Sequence, residues 1–144
     1  MADFKFGAKS NGKLATGCQE LRTLANRALA LSPYDFTIIW VWRGEEVQDG
    51  LFKIGASTKE WPNSKHNVED ASGDPYSEAL DFGPWIDGKI PWEDTHIFAV
   101  IAGCFQAAAK EMGIKIVWGG DWDGDGHSKG DQTLMDYGHI EVVV

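Results

Sequence analysis

The chain is short of several things that would place it in a special class. Only two cysteines, Cys18 and Cys104, occur in 144 residues. Both fall in stretches patterned as amphipathic helix, where a free thiol acts as a small buried hydrophobe, so a disulfide framework is not expected. No run approaches the ~20 apolar residues of a membrane span. Met1 to Lys13 alternates polar, aromatic and Gly residues without an apolar run of signal-peptide length. Stable membrane insertion is therefore not expected, and the chain is expected to stay at first in the cytoplasm. Basic residues are also scarce. Thirteen Lys and Arg against 22 Asp and Glu leave a net charge of −9, which opposes binding to a phosphate backbone by counterion release, and no nucleic-acid partner is expected. There is neither an internal repeat nor an interdomain linker, so residues 1–144 read as one domain.

What is present is an ordinary globular composition, 43% hydrophobic and 24% charged, with seven Trp and 17 Gly. A chain of this length buries about 68 to 70% of its unfolded surface, enough to fold without a metal staple. Metal ligands, where they occur, then point to function.

Gly17 to Leu31 carries Cys18, Leu21, Leu24, Ala25, Ala28 and Leu29 at three- and four-residue steps, a helix with one buried face that ends at Ser32-Pro33. Phe36 to Trp42 is β-branched and aromatic and reads as a strand. Glu45 to Ile54 is expected to be a short helix closed by Gly55. Ala56 to Glu78 lacks a period, and a loop of that length inside a domain is usually functional. Ala79 to Phe82 reads as a short strand, Ile86 to Pro91 as a tight turn centred on Asp87-Gly88, and Pro91 to Met112 as the longest helix. Ile114 to Trp118 and His139 to Val144 are the last strands, separated by a Gly- and Asp-rich loop over Gly119 to Met135. On the final strand a period of two puts His139, Glu141 and Val143 on one face and Ile140, Val142 and Val144 on the other.

The chain holds four histidines: His66, His96, His127 and His139. Singly, His66 or His139 reads as a solvated or hydrogen-bonded side chain. Together they suggest more, because a catalytic zinc takes three protein ligands, commonly His with a carboxylate, and keeps a position open. Asp81 supplies a carboxylate on a short apolar strand, where an unpaired charge would be costly to bury.

These residues carry a family resemblance. Ser64-x-His66, Ala79-x-Asp81 and Asp136-x-x-His139 resemble the zinc peptidase superfamily of D-alanyl-D-alanine carboxypeptidases, lysostaphin and the Hedgehog fold. Phe4-Lys5-Phe6-Gly7, Leu31-Ser32-Pro33-Tyr34-Asp35-Phe36-Thr37-Ile38, Ser64-Lys65-His66, Asp81-Phe82-x-Pro84, Ile86-x-Gly88-Lys89-Ile90 and Gly138-His139 narrow the resemblance. They are similar to the L-alanyl-D-glutamate peptidase endolysins of tailed phages, over Phe4 to Val142.

The resemblance implies zinc held by His66, Asp81 and His139, with Asp136 as the catalytic carboxylate. One spacing departs from the family, which places the carboxylate nearer the first histidine; here His66 and Asp81 are fifteen residues apart. Two alignments remain open. Either an insertion lies between Asn67 and Glu78, favoured because Ala79-Leu80-Asp81-Phe82 restores the family context, or the ligand shifts to Asp74, with Asp70 a weaker choice. Asp136 would move the proton of the attacking water to the departing amine. Its plain alternative is a turn-forming Asp. In the resembling families an Arg and a Gln near this strand line the zinc site, which makes Arg43 the oxyanion candidate and Gln48, with Ser64, candidates for substrate binding. Arg43 also has a plain alternative, a solvated or Glu-paired side chain.

Asp121-Trp122-Asp123-Gly124-Asp125-Gly126 is a separate signal. Asp at positions 1, 3 and 5 with Gly at 6 matches the first half of an EF-hand-type calcium loop. Position 12 is Gln132 instead of Glu, with Asp131 a substitute, so the candidate calcium ligands are Asp121, Asp123, Asp125 and Asp131. Trp40, Trp42 and Trp118 read as core. Trp61, Trp85 and Trp122 lie near the ligand-bearing loops. His96 is expected to be exposed, and His127 has no assigned role.

The expectation is an α+β fold, a small antiparallel sheet packed with helices, of the Hedgehog and D-alanyl-D-alanine peptidase type. The implied activity is zinc-dependent hydrolysis of the L-alanyl-D-glutamate amide of peptidoglycan stem peptides, causing host lysis. It would be carried out by a monomer that reaches the wall from the host cytoplasm with the help of a holin. The rivals are a D-alanyl-D-alanine carboxypeptidase or dipeptidase, and a non-catalytic wall-binding or calcium-binding domain.

Overall fold

The computed structural model describes residues 4–122 and 136–143. Its elements, in chain order, are α1 (Ala8–Leu14), α2 (Gln19–Leu31), β1 (Phe36–Trp40), α3 (Glu45–Lys53), a 3-10 turn (Lys65–Asn67), β2 (Ala79–Pro84), α4 (Thr95–Met112), β3 (Lys115–Trp118) and β4 (His139–Val143). The fold is α+β, as expected. The strands form one antiparallel sheet in the order β1-β2-β4-β3.

Most elements form where the hydrophobic period places them, and the departures have local causes. Helix α1 was not foreshadowed, because seven residues are too few to show a period. Tertiary contact holds it in place: the Ser10 hydroxyl lies 3.1 Å from the Thr37 hydroxyl and accepts from the Ile38 amide at 3.1 Å. Strand β1 stops at Trp40, after a register shift between Ile38 and Trp40. Helix α4 starts at Thr95 and not at Pro91, because the Asp94 carboxylate caps it, accepting from the Ile97 amide at 3.2 Å. Asp87 (φ 50°) and Gly88 (φ 77°) make the expected two-residue turn, bridged between Ile86 and Lys89.

Alternation along β2 and β4 sorts their side chains into two sets. Leu80, Phe82, Ile140 and Val142 join Leu21, Leu24, Ala28, Phe98, Ile101 and Phe105 of α2 and α4 in the hydrophobic core, with Phe82 stacked on Phe105 at 5.3 Å. Asp81, His139 and Glu141 fall on the opposite face. The register pairs Asp81 with Trp40 on one side and with His139 on the other. Gly138 permits this pairing: its carbonyl accepts from the Phe82 amide at 2.9 Å, and a Cβ there would run into the Phe82 carbonyl oxygen.

The segment between the 3-10 turn and β2 folds back on itself. The Tyr76 amide bonds to the Val68 carbonyl at 2.9 Å, and the Asp70 carboxylate accepts from the Ser72 and Asp74 amides at 2.8 and 3.1 Å. The extra residues therefore form a self-closed excursion that returns the chain to Glu78 and β2. This is how His66 and Asp81, distant in sequence, come to face one another.

Candidate metal centre

His66 comes from the 3-10 turn, Asp81 from the middle of β2 and His139 from the first residue of β4. One ligand atom from each lies within 4.8 Å of the others, the one such group among the described residues. Asp70 and Asp74 are exposed in the excursion and do not belong to it.

The turn bearing His66 is locally encoded. Ser64 caps it, its hydroxyl accepting from the His66 amide at 3.1 Å, and the Asn67 side-chain carbonyl accepts from the Ser64 amide at 3.0 Å, a reciprocal capping box. The His66 ring is 2% exposed. Its Nδ1 lies 2.6 Å from the Val41 carbonyl oxygen, which can only accept, so Nδ1 carries the proton. The lone pair of Nε2 then points inward. That atom is buried, makes no hydrogen bond among the described residues, and faces Asp81 Oδ2 at 3.4 Å.

His139 lies between two carboxylates, with Nδ1 3.1 Å from Asp81 Oδ1 and Nε2 2.9 Å from Glu141 Oε1. The Trp122 ring covers it at 5.0 Å. Burial alone would depress its pKa, but the hydrogen bonds to Asp81 and Glu141 and the nearby negative charges raise it to about 9. Asp81 shows the converse. Burial pushes its carboxyl up, yet the imidazoles of His66 and His139 beside it hold it well below the usual carboxylate range.

A buried imidazole nitrogen left unbonded is expensive, and a cation offers it a partner. Two imidazole nitrogens and one carboxylate oxygen, each histidine held through its other ring nitrogen by a carbonyl or a carboxylate, suit a divalent metal with open positions. The residues present fit the group that the sequence implied.

The remaining candidates line or support a cleft of about 290 Å³ beside this cluster. Asp136 lines it. It stands exposed at the rim, and the His139 amide bonds to its carbonyl at 3.1 Å, a turn that brings both side chains to the cleft despite their short separation. Crowding by protein around its carboxyl, and then the charge of Asp81, push its pKa up. Arg43 also lines the cleft, bonded to Asp81 Oδ2 at 2.8 Å and stacked over Trp40 at 5.2 Å. Burial lowers its pKa, against the raising influence of Asp81 and Asp136. Ser64 lines the cleft beside His66.

Gln48 is fully buried. Its Nε2 donates to Ser57 Oγ at 2.9 Å and to the Lys59 carbonyl at 2.6 Å, and its Oε1 accepts from Asn67 at 3.2 Å. It ties the cleft wall to the His66 turn. Of the aromatic residues, Trp122 lines the cleft, Trp61 packs edge-on against Trp42 at 6.2 Å, and Trp85 is exposed. Trp40, Trp42 and Trp118 are only half-buried; Trp118 packs against the core as expected, whereas Trp40 lies under Arg43 and Trp42 against Trp61, away from it. His96 is exposed. Asp121 begins the acidic loop, its amide bonded to the Trp118 carbonyl at 2.9 Å, whereas Asp123, Asp125, His127, Asp131 and Gln132 lie outside the described residues.

Sequence reading had not assigned Glu141, Asn67 or Lys59. Glu141 was within reach of it, since alternation already placed it on the His139 face.

Comparison with known proteins agrees with this geometry. The family model described as phage L-alanyl-D-glutamate peptidase matches residues 1–143. The L-alanyl-D-glutamate peptidase of Escherichia phage T5 is 39% identical over 144 residues, covering 97% of this chain and 98% of the relative. The crystal structure of the Serratia marcescens L-Ala D-Glu endopeptidase ChiX superposes with a TM-score of 0.76 at 26% identity, over 98% of this chain and 91% of that one. With the cluster on the sheet, the family motifs along the chain and a match from end to end, the chain belongs to the phage L-alanyl-D-glutamate peptidase family.

Proposed function

We propose that the protein is a zinc metallopeptidase, a phage endolysin that hydrolyses the amide between L-alanine and D-glutamate in peptidoglycan stem peptides and so lyses the host. The observation that carries this reading is the His66, Asp81 and His139 group on this family's scaffold, with His66 Nε2 buried and unbonded. Zinc held by these three side chains would supply Lewis acidity to the water nucleophile and to the scissile carbonyl.

The chain's own groups do the rest. The Val41 carbonyl and the Glu141 carboxylate fix the two rings, leaving His66 Nε2 and His139 Nδ1 as donors. Asp136 takes the proton of the attacking water on its carboxylate and returns it to the departing amine of D-glutamate. Its raised pKa suits a group that must hold that proton briefly. Arg43 donates to the carbonyl oxygen as negative charge develops on it. Among the described residues the Ser64 hydroxyl proton has no acceptor, which leaves it for a substrate carbonyl. Gln48 serves the substrate through the wall that it holds.

Residues 1–144 act as one catalytic unit and as a monomer, with substrate recognition supplied by the cleft. Among the described residues no helix is long and apolar enough to cross a membrane. The enzyme waits in the host cytoplasm until a holin opens the way to the wall, and the acidic loop from Asp121 is a calcium site that adjusts the chain leading to Asp136 and His139.

Digestion of purified peptidoglycan tests the reading. New C-terminal L-alanine and new N-terminal D-glutamate are expected, together with stoichiometric zinc in the protein and loss of activity in His66→Ala and Asp136→Ala. Release of D-alanine alone would assign the bond to a carboxypeptidase. Full activity in either variant would remove the proposed site.

A further inference from the structure

The cleft carries charges of both signs. On the cluster side stand the carboxylates of Asp81, Asp136 and Glu141, and the guanidinium of Arg43 is engaged with Asp81 at 2.8 Å. Lys59 and Lys65 also line the cleft. The Lys65 ammonium is paired with Glu78 at 3.1 Å, whereas Lys59 forms no ion pair among the described residues.

Lys59 is also firmly seated, unlike most surface lysines. Gln48 Nε2 grips its carbonyl at 2.6 Å, and Ser57 Oγ accepts from its amide at 3.2 Å. On either side the Ala56 amide bonds to the Leu51 carbonyl at 2.9 Å, and the Trp61 amide to Asp49 Oδ1 at 2.9 Å. A fully buried glutamine thus fixes the backbone of a cleft lysine that has no ion pair among the described residues, and only the flexible stem of Lys59 remains to be ordered by a ligand.

The substrate supplies the matching charge. A D-glutamyl residue has two carboxyl groups, and when one joins it to the next unit the other stays free. That carboxylate travels with the amine side of the scissile bond, and Lys59 is a cleft-lining cation that no carboxylate of the described residues engages. We propose that Lys59 is the specificity-determining residue of the cleft, its ammonium binding the free carboxylate of the D-glutamyl residue and so setting the direction in which the stem peptide lies. This assignment rests on the peptidase reading above and goes beyond it by naming the group that recognises the glutamate.

The test uses the zinc-loaded full chain and two synthetic peptides, each N-acetyl-L-alanyl-D-glutamyl extended through one carboxyl, with the other either free or amidated. The wild type is expected to favour the free acid by about tenfold in kcat/KM, the worth of one charge-assisted hydrogen bond, mostly through KM. In Lys59→Met that preference falls toward unity, and Lys59→Arg restores it. A preference that survives in Lys59→Met overturns the assignment, as does a wild type that cleaves both peptides equally well, and in both cases hydrolysis itself upholds the peptidase reading. A wild type that cleaves neither peptide brings down both.

Discussion

Replacing Gln48 by alanine separates two roles for this residue, one in holding the wall of the cleft and one in touching substrate. The side chain is fully buried and makes three hydrogen bonds, to Ser57, to the Lys59 carbonyl and to Asn67. Each such bond has a net worth of about 1 kcal/mol, and the lost methylene adds about 0.8 kcal/mol. Some of this is recovered. Ser57 Oγ lies 3.3 Å from the Lys59 carbonyl, and Asn67 still donates to the Arg43 carbonyl at 3.1 Å, so no partner is wholly abandoned. The expected destabilisation is about 3 kcal/mol, or roughly 10 °C in Tm for a chain of this size. It should appear in urea and thermal unfolding of zinc-saturated protein at fixed pH, with a weakened KM as the 55–59 wall loosens. A loss below about 1 kcal/mol accompanied by a large rise in KM would refute the argument, because it would mean that the amide spends its hydrogen bonds on substrate and not on the wall.

Other substitutions and conditions probe the rest of the site. Gly138→Ala should cost on the order of 3 kcal/mol, because the new methyl meets the Phe82 carbonyl and must break the pairing of Asp81 with His139; unchanged stability by calorimetry would contradict that packing. Glu141→Gln should weaken zinc binding by about ten- to a hundredfold in a competitive chelator titration, since the carboxylate at 2.9 Å orients the His139 ring; unaltered affinity would show that the ring needs no such support. His139 predicts how metal-free stability varies with pH. Its folded pKa of about 9 exceeds its ordinary 6.5, so the stabilisation is complete below about pH 6.5 and disappears as pH rises through 9. Up to roughly 3 kcal/mol is at stake over that window. Over the same window zinc affinity should strengthen, because the metal and the proton compete for one ring nitrogen. Flat apo stability between pH 6.5 and 9 would show that His139 is not held as the doubly bonded cation.

The elements most legible in the sequence were those with a long or repeated period. Leu21, Leu24, Ala25, Ala28 and Leu29 announced α2, and Phe98, Ile101, Ala102 and Phe105 announced α4, because a helix this long repeats its buried face several times. The seven residues of α1 could not do so, and the first turn assigned to α4 was lost to a side-chain cap at Asp94. In the site, the residue types were readable and their arrangement was not. Ser64, His66, Asp81, Asp136 and His139 were marked by motif and family resemblance, whereas Gln48 was expected to bind substrate and is buried in the wall, its side chain committed to Ser57, Lys59 and Asn67.

The sequence by itself determined the kinds of ligand available, the α+β pattern, the scarcity of cations and the alternation that puts His139 and Glu141 on one face. These are local properties, written in residue chemistry and in periods of two and 3.6. The tertiary structure decided which carboxylate meets the histidines. That choice depends on the excursion closing between Val68 and Tyr76 and on β2 pairing with β4 at Asp81 and His139, and both are contacts between distant residues with no short-range signature. It also decided which cations are free. Arg43 and Lys65 look no different from Lys59 in the sequence, and only the fold pairs them with Asp81 and Glu78.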